Sequence, residues 1–249
     1  MEERLARRPR VIHETEVAAV DFPDGSGSYR LLIDPTVGAR HVMQFAARIR
    51  PGARSPLEAK PEEEAMYVVS GLGRLTVGET DHDLQPGSAA LIPSGTEGWL
   101  SNVGDQDLHL IPVVSPPMGT PMPAHPAGPV PAVSLHEMDQ PAESAGEDRE
   151  FRVLIDPRHG AQHVTQFVGF IDRSRAPFHT HTYEEAIYVL DGEGVVHVGG
   201  DHGFDHPIRP GSSIFLPPGT PHCLENAGAG VLKLLGVFSP PGSPGSKQE

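Results

Sequence analysis

A chain of 249 residues has room for one large domain or two of modest size, and its 37% hydrophobic and 21% charged residues exclude wholesale disorder. With 19 basic against 33 acidic residues the formal charge is -14, which sets the surface against phosphate backbones and anionic lipid, so no nucleic-acid and no membrane partner is expected. Cys223 is the only cysteine, which excludes an internal disulfide framework; with no apolar h-region behind MEERLARRPR and no run long enough to span a bilayer, a cytoplasmic protein is the expectation.

The 28 glycines and 27 prolines favour short strands and turns over long helices. In chain order, RLLIDPTVGARHVMQF at 30 to 45 returns as RVLIDPRHGAQHVTQF at 152 to 167, with 11 of 16 positions identical at an offset of 122. EEAMYVVSGLG (63 to 73) returns as EEAIYVLDGEG (184 to 194), and LIPSGT (91 to 96) as LPPGT (216 to 220). The chain is therefore two copies of one unit. We place the first at residues 1–114, a stiff proline-dense connector at 115–131, the second copy at 132–238 and a disordered tail at 239–249. The runs HVTQFVGFI, EAIYVLDGEGVVHV, SSIFLP and VLKLLGVF are too short and too β-branched for helices and read as strands. Each copy is an all-β unit, closed as a jelly-roll barrel or open as an immunoglobulin-like sandwich, and periodicity does not separate the two.

The second copy carries the chemistry. His179 and His181 stand two apart, which on a strand puts both imidazoles on one face; Glu185 keeps that parity, and His222 arrives after the turn PPGTP. Three imidazoles and a carboxylate suit one divalent transition metal ion, Fe, Mn, Ni, Cu or Zn, and a six-coordinate ion would keep two open positions.

At these residues the chain resembles the cupin superfamily, whose pattern is G-x5-H-x-H-x3-E-x6-G followed by G-x5-P-x-G-x2-H-x3-N. His179, His181, Glu185 and Gly192 match the first half, and Gly211, Pro217, Gly219, His222 and Asn226 the second; Arg173 stands where the first glycine would be. The first copy keeps the frame in Gly52, Glu64, Gly71, Gly87, Pro93, Gly95 and Asn102, but Glu58, Lys60 and Gly98 occupy the histidine positions, so it would bind no metal in the family's way. Lys60 would instead pair with Glu58 and Glu64, or face solvent with them. The resemblance implies two tandem jelly-roll barrels packed as an intramolecular pseudo-dimer, with the metal in the second barrel alone.

The family spans aromatic and flavonol dioxygenases, oxalate decarboxylases, isomerases, lyases and ureidoglycine aminohydrolase, so it implies a reaction class only weakly. The expectation is an enzyme acting on a small-molecule substrate, of dioxygenase type, with Glu185 as fourth ligand or proton acceptor. A non-redox metalloenzyme and a non-catalytic binding module are the alternatives, and a homo-oligomer is compatible with either.

Residues found in both copies, namely Arg30 and Arg152, Asp34 and Asp156, His41 and His163, Gln44 and Gln166, are read as structural, with the Arg and Asp pairs bracing the barrels. Tyr183, His197, Phe178 and Cys223, peculiar to the second copy, are pocket candidates; for Cys223 an inert buried thiol is expected, and for His197 an exposed strand position. Alternation should turn Glu184 outward. His13, His125, His136, His159, His202 and His206 lie in turn or linker sequence with no evident partner.

Overall fold

The computed structural model describes residues 8–116, 132–146, 148–201 and 203–245, so most of the connector, His125, His202 and the last residues of the tail lie outside it. Each sequence repeat becomes a large and a small antiparallel sheet facing one another. The first large sheet runs Val133–His136, Ser88–Ile92, Glu63–Ser70, Leu108–Ser115, Met43–Ile49, Gly27–Ile33, Val20–Asp21. The second repeats that order with Arg10–His13, Ser212–Leu216, Glu184–Asp191, Leu232–Ser239, Thr165–Ile171, Arg149–Ile155, Glu143–Gly146. Four strands from Arg54–Leu57 to Gly98–Asn102 close the first barrel, and Gly194–Val198, Phe204–Ile208 and His222–Asn226 close the second. Among the described residues the only helices are short 3-10 turns, and none is long or apolar enough to cross a membrane.

The boundaries at 114 and 132 do not coincide with the sheets. Arg10–His13 pairs with Ser212–Leu216 of the second barrel, and Val133–His136 pairs with Ser88–Ile92 of the first. Each would otherwise be an open edge strand, and the exchanged segment supplies its missing hydrogen bonds. The stretch expected as a disordered tail also departs from its reading over its described part. Ser239 ends a strand and is buried, and Gly242 lies so close to Tyr183 that a Cβ there would fall 2.4 Å from its ring.

Apolar burial falls into two barrel interiors and a shared layer between them. Leu75, Leu84 and Leu108 belong to the first interior, Val196, Ile214 and Leu232 to the second. The layer between joins Ile33, Tyr67, Leu91 and Val113 of one repeat to Ile155, Tyr188, Phe215 and Val237 of the other. The pseudo-dimer is thus held by a continuous core.

Polar residues kept in both copies also brace that layer, though not as expected. Asp34 and Asp156 cap local 3-10 turns, accepting from the backbone of Thr36 and Arg158. Arg30 donates to the Val17 carbonyl, and Arg152 to those of Glu137 and Gln140, fastening the exchanged segments. Across the interface the carboxylate of Glu63 accepts from the backbone of Gln162 (2.8 Å) and His163 (2.7 Å), and that of Glu184 from Arg40 and His41 (both 2.8 Å). Glu184 is fully buried: it does turn away from its own barrel, but on this sheet the outer face meets the other barrel and not water. Gln44 accepts from Ser213 across the same interface at 2.6 Å. Two buried glutamates complete the bracing. Glu14 accepts from Tyr188 and Arg48, and Glu137 from Tyr67 and Lys233.

Candidate metal centre

The strand containing Glu185 is fixed on both sides, opposite Leu216 on one and Phe238 on the other, and its alternation points Glu185 into the barrel. His222 begins the strand of the small sheet. His179 is not on a regular strand; a single antiparallel bridge, with both backbone hydrogen bonds at 3.0 Å, holds it opposite His222. His181 follows in extended chain and its carbonyl accepts from Gly219 of the proline turn at 2.7 Å. The motif's conserved-spacing Asn226 has a structural task. Its side-chain amide donates to the Ile171 and Gly230 carbonyls and its oxygen accepts from Gly228, pinning the loop behind His222.

One ring nitrogen from each of His179, His181 and His222 lies within 4.8 Å of the others. Glu185 Oε2 is 3.1 Å from His222 Nε2 and 3.6 Å from His181 Nε2. The Nδ1 atoms of His179 and His222 each sit 3.0 Å from a carbonyl oxygen, of Pro177 and Thr220 respectively. A carbonyl only accepts, so both Nδ1 atoms carry hydrogen, and in the neutral rings the Nε2 lone pairs turn inward. Two acceptors, His222 Nε2 and Glu185 Oε2, then face each other, an arrangement that requires a proton or a cation between them. Glu185 Oε2 is also a buried oxygen without a hydrogen bond of good geometry. The donor set therefore fits a divalent transition ion, which the three histidines would hold with Glu185 beside them.

The electrostatics agree with that donor set. Burial, then the neighbouring charge of His222, lowers His179 below the ordinary imidazole range, and burial lowers His181 to about 4, so these rings are neutral near pH 7. Burial opposes the charge on both members of the remaining pair, but their mutual contact wins: Glu185 is held below and His222 above its ordinary value.

Aromatic rings line the centre. Tyr183 stacks on His181 at 4.8 Å with planes 13° apart, and Phe238 lies 5.1 Å from His181 and 4.5 Å from Tyr183. Phe167 and Phe151 complete the cluster. Of the four pocket candidates, only Tyr183 stands here. Phe178 is 50% exposed, with the Arg175 guanidinium over its ring. Cys223 is fully buried, 3.2 Å from Arg175 Nε, on the face opposite His222 as alternation requires. His197 is buried rather than exposed, held between Asp205 (2.7 Å) and Glu225 (2.9 Å). Several histidines read as partnerless are also engaged. His13 and His136 contact the carbonyls of Pro210 and Pro86, closing the exchanged strands, His206 Nδ1 lies 2.7 Å from the Pro207 carbonyl oxygen, and His159 lies 3.0 Å from Asp156. Apart from Tyr183, the aromatic wall escaped sequence reading, although Phe238 pairs with Glu185 and parity alone would have turned it inward.

The first barrel keeps the carboxylate position in Glu64 but contrasts at all three histidine positions. Lys60 forms an ion pair with Glu64, while Glu58 is exposed. Gly98 occupies the place of His222, and a Cβ there would fall 2.2 Å from the Thr76 carbonyl oxygen, so this strand start has no space for an imidazole.

A family model described as a cupin domain matches residues 45–114 and 171–238. Among characterised and uncharacterised relatives, an uncharacterised protein of Methanocaldococcus jannaschii is 37% identical over 69 residues, covering 27% of this chain and 53% of its own. Auxin-binding protein 1 of Arabidopsis thaliana is 31% identical over 90 residues, covering 33% of this chain and 46% of its own. The chain thus spans about half the length of these two relatives. Among solved structures, the oxalate decarboxylase of Lactobacillus farciminis in its formate complex superposes with a TM-score of 0.76 at 17% identity, over 92% of this chain and 85% of that one. A Bacillus subtilis oxalate decarboxylase variant gives 0.75 at 15%, over 92% and 76%. That likeness concerns the fold: two tandem barrels. Since the cupin model covers more than half of the 249 residues, in two copies, the chain belongs to the cupin family and is a bicupin.

Proposed function

We propose that the second barrel holds one divalent transition metal ion on His179, His181, His222 and Glu185, and that the protein is an enzyme acting there on a small organic molecule with oxygen donors. The observation that supports this best is the pair of Nδ1 hydrogens tied to the Pro177 and Thr220 carbonyls, which leaves the Nε2 atoms of His179 and His222 as donors to the cluster, that of His222 at 3.1 Å from the buried Glu185 carboxylate. A bound ion supplies Lewis-acid polarisation of a substrate oxygen and, when redox-active, a route for electrons to dioxygen. The chain's own part is to orient and desolvate. Tyr183, Phe238 and Phe167, all buried and packed around His181, give the centre an apolar wall that excludes water, and Glu185, beside His222, is placed to accept a substrate proton.

The aromatic wall favours an oxidoreductase of dioxygenase type acting on an aromatic or enolic substrate. A non-redox decarboxylation of a small carboxylic acid is the second reading, favoured by the oxalate decarboxylases among the structural neighbours. Protein reconstituted separately with Fe(II) and Mn(II) distinguishes them. Substrate-dependent oxygen uptake with catechols or flavonols, absent in His179→Ala, is the expected result. Formate and carbon dioxide from oxalate without net oxygen consumption would replace the first reading with the second. Ligand binding without turnover in either assay would leave a binding module.

A further inference from the structure

The barrel without metal ligands is not filled. A cavity of about 320 Å³ lies inside it, at the place where the second barrel carries its histidines, and it opens into a second space lined by Phe22, Pro23, Asp24, Leu57 and Glu58. The reason is visible in side-chain volume. Val114 pairs with Glu64 as Phe238 pairs with Glu185, so the ring that packs against His181 in one barrel is an isopropyl group in the other. One wall is aromatic: Phe22 stacks on Tyr29 at 5.6 Å, and Tyr29 meets Phe45 edge-on at 5.8 Å. Met66, Leu100 and Leu110 add aliphatic surface, and the only charged side chains on the lining are Lys60 and Glu64.

We propose that this cavity is a second, metal-independent binding site, and that its ligand is a small aromatic molecule carrying a neutral hydroxyl. Lys60 and Glu64 form an ion pair, so the lining is neutral as a whole and presents ammonium donors beside a carboxylate acceptor. A phenolic hydroxyl satisfies both, accepting from Lys60 and donating to Glu64. A carboxylate would be repelled by Glu64, and an ammonium by Lys60. The aromatic wall takes the ring, as apolar pockets with few converging polar groups do.

The test is calorimetric titration of the full-length, metal-loaded protein with 2-naphthol, 2-naphthoate and 1-naphthylmethylamine. Binding of 2-naphthol in a one-to-one ratio, about tenfold or more tighter than either charged analogue, is expected. Val114→Phe, which installs the second barrel's residue, should abolish it, and Ala47→Leu serves as an independent filling variant should the first not fold. Lys60→Met should erase the preference for the hydroxyl. His179→Ala should leave 2-naphthol binding unchanged. No binding, equal binding of the naphthoate, binding that survives both filling variants, or loss of binding in His179→Ala would each overturn the proposal.

Discussion

Replacing Glu184 by alanine tests whether the barrels are held together by buried polar contacts as well as by apolar area. Its carboxylate accepts from the backbone N–H groups of Arg40 and His41 across the interface, at 2.8 Å each, in a position with no solvent exposure. Removing it leaves two backbone donors without their partner in a layer that water does not reach. Each orphaned donor costs about 1–3 kcal/mol, so the loss should be about 3–5 kcal/mol in all. In a chain of this size that corresponds to a fall in Tm of roughly 10 °C. Glutamine keeps one acceptor oxygen but aims an amide at the second donor, so Glu184→Gln should lose about half as much. Urea unfolding of the metal-free protein, followed by far-UV circular dichroism and tryptophan emission, measures both. A Glu184→Ala variant within about 1 kcal/mol of the parent would refute the reasoning, since it would mean that the Arg40–His41 turn is held by its own geometry or by water.

Glu14 accepts from Tyr188 and Arg48, and despite burial, which opposes its charge, hydrogen bonds from His109, Tyr188 and Arg48 hold it well below its ordinary value. Because the folded value is depressed, its contribution to stability is complete above the unfolded glutamate value and is lost as pH falls below it. Tyr188→Phe should cost about 1.5–3 kcal/mol at neutral pH and flatten the acid limb of a stability profile between pH 7 and pH 3; an unchanged acid limb would exclude Glu14 as its source. Rebuilding the ligand set in the first barrel with Glu58→His, Lys60→His and Gly98→His should yield no second metal ion and a less stable protein, because a side chain at 98 meets the Thr76 carbonyl. Elemental analysis showing two ions per chain would contradict this.

The all-β, two-barrel architecture was legible because the repeat, the glycine and proline punctuation and the motif spacing all point the same way. Gly71 and Gly192 show why such signals carry: both adopt positive φ, and a Cβ at either would strike the backbone where the last strand of its barrel begins, at Asp107 and Leu108 or at Val231 and Leu232. The histidine cluster was legible from the motif spacing, although the strand expected under His179 and His181 is extended chain held to His222 by a single bridge. What alternation could not reveal is what lies outside a barrel. Glu184 turns outward as the rule demands, yet outward is the other barrel, and nothing local distinguishes a buried interface face from a wet one. The exchanged strands Arg10–His13 and Val133–His136 escaped similarly, because each pairs with the other repeat, opposite Ser212–Phe215 and Ser88–Leu91 respectively, and pairing so distant in sequence leaves no mark on local pattern. His197 was misplaced because its two carboxylate partners come from neighbouring strands of the small sheet.

The most direct test of the central claim is the metal content of the full-length protein after reconstitution and exhaustive removal of free ion, measured by elemental analysis beside His179→Ala, His222→Ala and Lys60→Ala. One transition-metal ion per chain in the parent and in Lys60→Ala, with none in either histidine variant, is the predicted result. An ion retained in the histidine variants, or none bound by the parent with any of Fe, Mn, Ni, Cu or Zn, would contradict it.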